Sequence, residues 1–282
     1  MGTIGRPAPF PPQTCPQWAG PPFCESSVSE KSALSAAEEI DHIWALLRRQ
    51  GYAVTDDEAI GLPSQFREHF SRAYFNEETL KHDEGDWPID RKRARDVIRY
   101  YWFDSDLELE EHDRITIMNR AGIAGEREHH RIPLLKDALG AAFARALLHL
   151  VPEERRQPDG TLGVNMFRTY TNVVESPHQD NEEFIILYVL DRIGSGATSY
   201  LYEVTADGDA MPTPVLEQQL NPGQVLIFED KRFLHGATPL EPPPGEATAR
   251  RDVLVCTVDY RATYLEQAPE PRCGITVTRR GI

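Results

Sequence analysis

At 282 residues, 40% of them hydrophobic, the chain has the length and apolar content for one large domain or two small ones. Its 45 acidic residues against 30 basic ones leave a net charge of -15, which disfavours nucleic acid and anionic membranes as partners unless a local basic patch overrides the total. No stretch approaches the roughly 18 consecutive apolar residues of a transmembrane helix. The first residues, Met1 to Arg6, lack the apolar centre of a secretory signal, and Cys15, Cys24, Cys256 and Cys273 include no Cys-x-x-Cys pair. A cytoplasmic protein with free thiols is the expectation.

Residues 1–30 carry Pro7, Pro9, Pro11, Pro12, Pro16, Pro21 and Pro22 without any hydrophobic period, which predicts an extended tail ahead of a single domain over 31–282. Ser35-Ala36-Ala37-Glu38 has the capping-box pattern, and Ile40, Ile43, Trp44 and Leu47 then fall on one helical face until Gly51. Residues 52–55 read as a short strand, and 63–75 as a second helix with Phe66, Phe70 and Tyr74 inward. Arg91, Lys92, Arg93, Arg95 and Arg99 precede Tyr100-Tyr101-Trp102-Phe103. Cations beside aromatics suit nucleic acid, but the acids from Asp104 to Asp113 undercut that reading. A strand or solvated face is expected instead, its functional version being a mouth for an anionic substrate or an acidic carrier protein. The neighbours His129 and His130 point opposite ways on an extended segment, which favours a polar approach to a helix over a metal pair. Leu134, Leu135, Ala138, Leu139, Ala142, Phe143, Ala146 and Leu147 recur at helical spacing, predicting one helix over 133–150 stopped by Pro152.

Beyond Pro158-Asp159-Gly160 the pattern changes to short strands at 162–170, 184–190, 198–204, 224–228, 253–260 and 275–278. Helices followed by strands imply an α+β domain, and strands at this spacing fit a jelly roll with supporting N-terminal and middle helices, open to ligands at its ends.

The chemistry concentrates around Ser176-Pro177-His178-Gln179-Asp180-Asn181-Glu182-Glu183. On an extended backbone His178 and Asp180 share a face. His235 supplies a third donor after the apolar run 224–228. Two His and one carboxylate suit ferrous iron and leave coordination positions open. Arg251 opens the next strand with a guanidinium fit for a bidentate carboxylate pair; Arg250 competes with it, since a one-residue register error exchanges the faces. On the strand 162–170, Asn165, Phe167 and Thr169 share one face and Met166, Arg168 and Tyr170 the other. Either face can line a pocket. Arg168 is a candidate for a substrate carboxylate or for a surface ion pair, and Glu182 or Glu183 for a substrate amine. Asp230 and Arg232, flanking His235, are candidates to orient it or to form an ordinary loop pair.

Pro177-His178-Gln179-Asp180, the segment Gly223 to Gly236 and Arg251-Asp252-Val253-Leu254-Val255 together resemble the Fe(II)/2-oxoglutarate-dependent dioxygenases, and within them the bacterial branch that hydroxylates free L-amino acids, such as L-isoleucine. The resemblance covers about residues 162–260. It implies a double-stranded β-helix, iron held by His178, Asp180 and His235, and the distal carboxylate of 2-oxoglutarate anchored by Arg251, with Arg250 as the alternative. The implied reaction couples decarboxylation of 2-oxoglutarate by O₂, giving succinate and CO₂, to hydroxylation of a small amino-acid-like substrate. Halogenating relatives replace the carboxylate ligand by Gly or Ala; this chain keeps Asp180, which argues against halogenation and leaves desaturation and cyclisation open. A carrier-tethered amino acid, a protein side chain or an alkylated base are alternative substrates, the last disfavoured by the acidic charge. A metal-independent β-sandwich binding protein is the alternative from another class.

Overall fold

The structure is a computed structural model that describes residues 36–82, 91–111, 132–170, 177–205 and 208–260. Contacts divide the chain into residues 1–33 and 34–282, and every described residue belongs to the second unit. The expected tail, the His129-His130 pair and the strand 275–278 lie outside the described residues.

Helix α1 (Ala36–Gln50) buries Ile43 and Leu47 on the face set by the apolar spacing. Gly51, at φ +80, ends it and donates its N–H to the Leu47 carbonyl at 2.8 Å, a left-handed position that favours glycine. Strand β1 (Tyr52–Asp56) follows directly. Helix α2 (Phe66–Tyr74) buries Phe66, Phe70 and Tyr74. The arginine-rich stretch is a strand, β2 (Lys92–Phe103), with Ala94, Ile98 and Tyr100 buried along one face; it turns at Asp104 into β3 (Asp106–Glu111).

The helix expected over 133–150 is broken. Leu134–Lys136 forms a single 3-10 turn, and α3 (Ala138–His149) starts only after Asp137, whose carboxylate accepts the Leu139 N–H at 2.9 Å. That cap outweighs the continuous apolar period. The turn folds so tightly onto α3 that a Cβ on Gly140 would stand 2.3 Å from the Leu134 carbonyl oxygen.

The remaining strands are β4 (Asp159–Thr169), β5 (Phe184–Ile193), the two-residue β6 (Ser195–Gly196), β7 (Thr198–Glu203), β8 (Leu216–Gln219), β9 (Gln224–Glu229), β10 (Phe233–Ala237), the two-residue β11 (Leu240–Glu241) and β12 (Arg250–Tyr260). The larger sheet runs β1-β9-β5-β12-β4-β2-β3 and the smaller β10-β7-β8, each with antiparallel neighbours. The two sheets make the double-stranded β-helix core.

Strand alternation divides the larger sheet between two interiors. Ile186, Tyr188, Leu254 and Cys256 pack outward against Phe66, Phe70, Phe143 and Leu147 of the helices, where Phe66 and Phe143 stack at 5.1 Å. Ile185, Val189, Leu226, Phe228 and Val253 pack inward against Leu201 and Phe233 of the smaller sheet. A bulge puts Asp191 opposite Asp252 and Val189 opposite Val253, so Leu190 is the additional residue in β5.

Candidate metal centre

The smaller sheet brings His178 to His235. Their backbones form an antiparallel bridge, His178 N–H to the His235 carbonyl at 3.1 Å and the reverse at 2.9 Å, and their rings lie 4.4 Å apart. Asp180 follows on the same side, and its Oδ2 stands 3.5 Å from His235 Nε2. One donor atom from each of His178, Asp180 and His235 lies within 4.8 Å of the other two. All three side chains are partly buried, and His235 also rests against Phe228 at 5.1 Å. Two imidazoles and a carboxylate converging this closely fit a ferrous ion with open positions.

Below this trio lies Asp230, fully buried in the 3-10 turn between β9 and β10. Its Oδ2 accepts the backbone N–H groups of Asp180 and Glu182, both at 2.9 Å, and its carbonyl accepts the Gln179 side-chain amide at 2.9 Å. Its Oδ1 stands 3.3 Å from His235 Nδ1. Arg232 points elsewhere, pairing with Glu203 at 3.4 Å and covering Phe233.

Of the two arginines that compete for a ligand carboxylate, Arg251 faces inward with Val253 and Arg250 faces outward. Arg250 pairs with Asp191 and stands 3.7 Å from Asp252. Arg251 is 9% exposed, and its Nε and Nη2 have no hydrogen-bond partner among the described residues. Burial, with a smaller contribution from the positive charge of Arg192, pushes its pKa down to about 10. Arg192 is its cross-strand neighbour on β5 and donates to the Leu220 carbonyl and the Asn221 side chain. A desolvated cation without an anion is costly to keep.

The face of β4 is also decided. Phe167 sits opposite Val253 in the inner cluster, and Asn165 donates to the Val255 carbonyl at 3.1 Å. Arg168 lies on the outer face, where its guanidinium makes a two-pronged pair with Asp252, 2.7 Å for each bond, so it stands across the sheet from the metal trio. Glu183 pairs with Lys231, and Glu182 hydrogen-bonds to Asp259, whose carboxyl is raised by burial above the usual range. The basic run, expected from sequence as a strand or solvated face with a mouth for an anionic substrate as its functional version, had no face assigned to it; the structure puts Arg93 opposite Phe167 and Arg95 opposite Asn165, and the Arg91 guanidinium lies 5.0 Å from the Phe167 ring centre. The signal was the alternation with buried Ala94 and Ile98.

Residues 89–257, more than half of the chain, match the family model described as 2OG-Fe dioxygenase. No curated protein sequence matches the chain at a significant level. Solved structures similar to it include a bsmA homologue from Methylobium petroleophilum, at 22% identity and a TM-score of 0.65 over 82% of this chain and 95% of that one. IDO from Bacillus thuringiensis matches at 18% identity and a TM-score of 0.60, covering 82% and 97%. The Fe(II)/α-ketoglutarate-dependent dioxygenase TqaL matches at 12% identity and a TM-score of 0.60, covering 79% and 88%. At these identities the likeness is one of fold.

Proposed function

The chain belongs to the 2OG-Fe dioxygenase family, and from that premise we propose that it hydroxylates a C–H bond of a small amino-acid-like substrate, with iron held by His178, Asp180 and His235. The family's reactants are Fe(II), 2-oxoglutarate and O₂. The bound iron supplies the redox chemistry that couples loss of CO₂ from 2-oxoglutarate to substrate oxidation.

The chain's own residues bind, orient and exclude. The carboxylate of Asp180 would hold the iron together with His178 and His235 and would offset part of its charge. Arg251 grips the distal carboxylate of 2-oxoglutarate through N–H groups that are buried without partners, and a charge-assisted pair away from water is both strong and directional. Val253, two residues along the same face, and Val189 and Phe167, paired with it across the strands, form an apolar layer next to Arg251. On the substrate side, Arg93 and Arg95 replace Arg168 as the groups placed to take a carboxylate, with Phe167 beside them for an apolar side chain. The observation that carries this reading is Arg251: a buried cation without a carboxylate partner among the described residues, on the same interior as the triad, supports a dicarboxylic cosubstrate.

The test is succinate formation by the purified protein with Fe(II), 2-oxoglutarate, ascorbate and O₂, against individual L-amino acids with mass detection. Succinate stimulated by one amino acid, with a product heavier by one oxygen atom, is the expected result. Basal succinate that no free amino acid stimulates moves the substrate to a carrier-tethered form, whose phosphate linker the Arg93 and Arg95 row also suits. No succinate and no bound iron overturn the reading.

A further inference from the structure

Asp230 is the only carboxylate among the described residues with no exposed surface at all, and nothing in the metal chemistry above requires it to touch the ion. We propose that Asp230 is a positioning residue that holds both halves of the metal site with one carboxylate, and that it sets which nitrogen of His235 faces the metal. This deepens the family reading and rests on it.

The two oxygens of Asp230 do separate jobs. Oδ2 accepts two backbone N–H groups, from Asp180 and Glu182, both at 2.9 Å. It thereby fixes the turn that carries the Asp180 ligand, in which Asn181 adopts a left-handed φ of 67. A non-glycine residue in that region needs such support. Oδ1 stands 3.3 Å from His235 Nδ1. Both of these atoms are buried, and neither has a hydrogen-bond partner among the described residues. A buried donor and a buried acceptor are rarely left unmatched, and here each faces the other across a gap that a small rotation of the imidazole closes.

With Nδ1 donating to Asp230, the proton of the imidazole is committed to that side. The lone pair of Nε2 is then directed toward Asp180, whose Oδ2 lies 3.5 Å away. A carboxylate on the far nitrogen of a metal-binding histidine fixes its tautomer, orients its ring and raises its basicity; loss of such a partner typically costs about 10- to 100-fold in metal affinity. The turn 230–232 thus joins the His178-x-Asp180 segment to the strand of His235, two parts of the chain separated by five strands.

Asp230→Asn separates positioning from simple support. The amide oxygen of the variant can still accept from Asp180 and Glu182, but its NH₂ presents a donor to His235 Nδ1 and reverses the tautomer. Two readouts are taken on metal-free and Co(II)-titrated protein: imidazole ¹⁵N shifts for the His235 tautomer, and the visible ligand-field spectrum for Co(II) affinity. The expected result is Nδ1–H in the wild type, Nε2–H in Asp230→Asn, and about a 10- to 100-fold loss of Co(II) affinity with metal-free thermal unfolding close to wild type. Unchanged Co(II) affinity in Asp230→Asn, or Nε2–H in the metal-free wild type, overturns the proposal. The wild-type tautomer decides the matter even when the variant does not fold. A wild-type protein that binds no Co(II) but carries Nδ1–H retains the orienting role of Asp230 and removes the metal reading instead.

Discussion

The two faces of the larger sheet handle charge in opposite ways. On the outer face, under the helices, Arg168 meets Asp252 through two bonds, Arg250 meets Asp191, and Asp137 takes hydrogen bonds from Tyr74 at 2.7 Å and His69 at 2.5 Å. Each of these charges has an opposite charge or a hydrogen-bond partner within the chain, although the Arg250 Nε, 3.7 Å from Asp252, makes no hydrogen bond among the described residues. On the inner face, Arg251 has buried N–H groups without partners among the described residues, and His235 Nδ1 and Asp230 Oδ1 face each other unbonded. Among the described residues, the outer arginines are therefore paired with carboxylates and the inner Arg251 is not. Incomplete polar groups cost stability, and a fold retains them where a ligand completes them.

The sharpest way to break this comparison is at the triad. His178→Ala or Asp180→Ala removes a ligand from the inner face and is expected to abolish succinate formation while leaving the outer core unaltered; turnover equal to wild type in either variant contradicts the assignment. Next comes Arg251→Met, which is expected to raise the 2-oxoglutarate concentration needed for half-maximal succinate formation by roughly 100-fold, the scale of losing one partner of a buried charge pair.

The same type of substitution on the two faces should move stability in opposite directions. Arg168→Met leaves Asp252, 1% exposed, without its principal partner, and is expected to lower the unfolding free energy by about 3 kcal/mol, as for other broken buried pairs. Arg251→Met removes a buried cation that has no carboxylate partner among the described residues, and the ligand-free protein is expected to be at least as stable as wild type in chemical denaturation. Equal destabilisation by both variants would erase the distinction between the faces.

The smallest effect is one of pH. Burial, above all, lowers the pKa of Arg251 to about 10 in the fold, from the higher value of an unperturbed arginine. Between those values the unfolded chain keeps the proton that the folded one releases, so stability from this group rises with pH. The stability advantage expected for Arg251→Met in the absence of ligand should therefore shrink above about pH 10, which paired denaturation curves at pH 8 and pH 10.5 would show.

How much of this was legible in the sequence depended on whether a pattern had one meaning. The spacing of Ile43 and Leu47, of Phe66, Phe70 and Tyr74, and the apolar runs that became β5, β9 and β12 each allowed a single element type. The break before α3 was hidden because the apolar period runs through Asp137 without interruption, and only the side-chain cap ends it. Strand β3 was hidden among acids: Leu107 and Leu109 alternate with charged residues, a pattern that an edge strand shares with a solvated loop.

The site was legible where three donor residues converge and illegible where the answer lay in a choice of face. Period-two alternation says that Arg168 and Phe167 point apart, but not which of them faces the interior shared with His178, Asp180 and His235. In a sheet buried on both faces, apolar residues occupy both sets of positions, and β5 buries Phe184, Ile185, Ile186, Tyr188 and Val189 alike. For that reason Arg168 remained a substrate candidate by sequence, and Arg93 and Arg95 were left between a strand or solvated face and a mouth for an anionic substrate. Asp230 and Asp180 are fifty residues apart in sequence, and no local pattern reports a hydrogen bond across that distance.

The most direct test of the account is an anaerobic titration of the purified protein with Fe(II), followed by 2-oxoglutarate, in wild type, Asp180→Ala and Arg251→Met. The account predicts one iron per chain in wild type, a new visible charge-transfer absorption when 2-oxoglutarate is added, loss of iron binding in Asp180→Ala, and in Arg251→Met intact iron binding with the absorption appearing only at much higher 2-oxoglutarate. Iron binding that survives Asp180→Ala, or a 2-oxoglutarate response indifferent to Arg251, would contradict it.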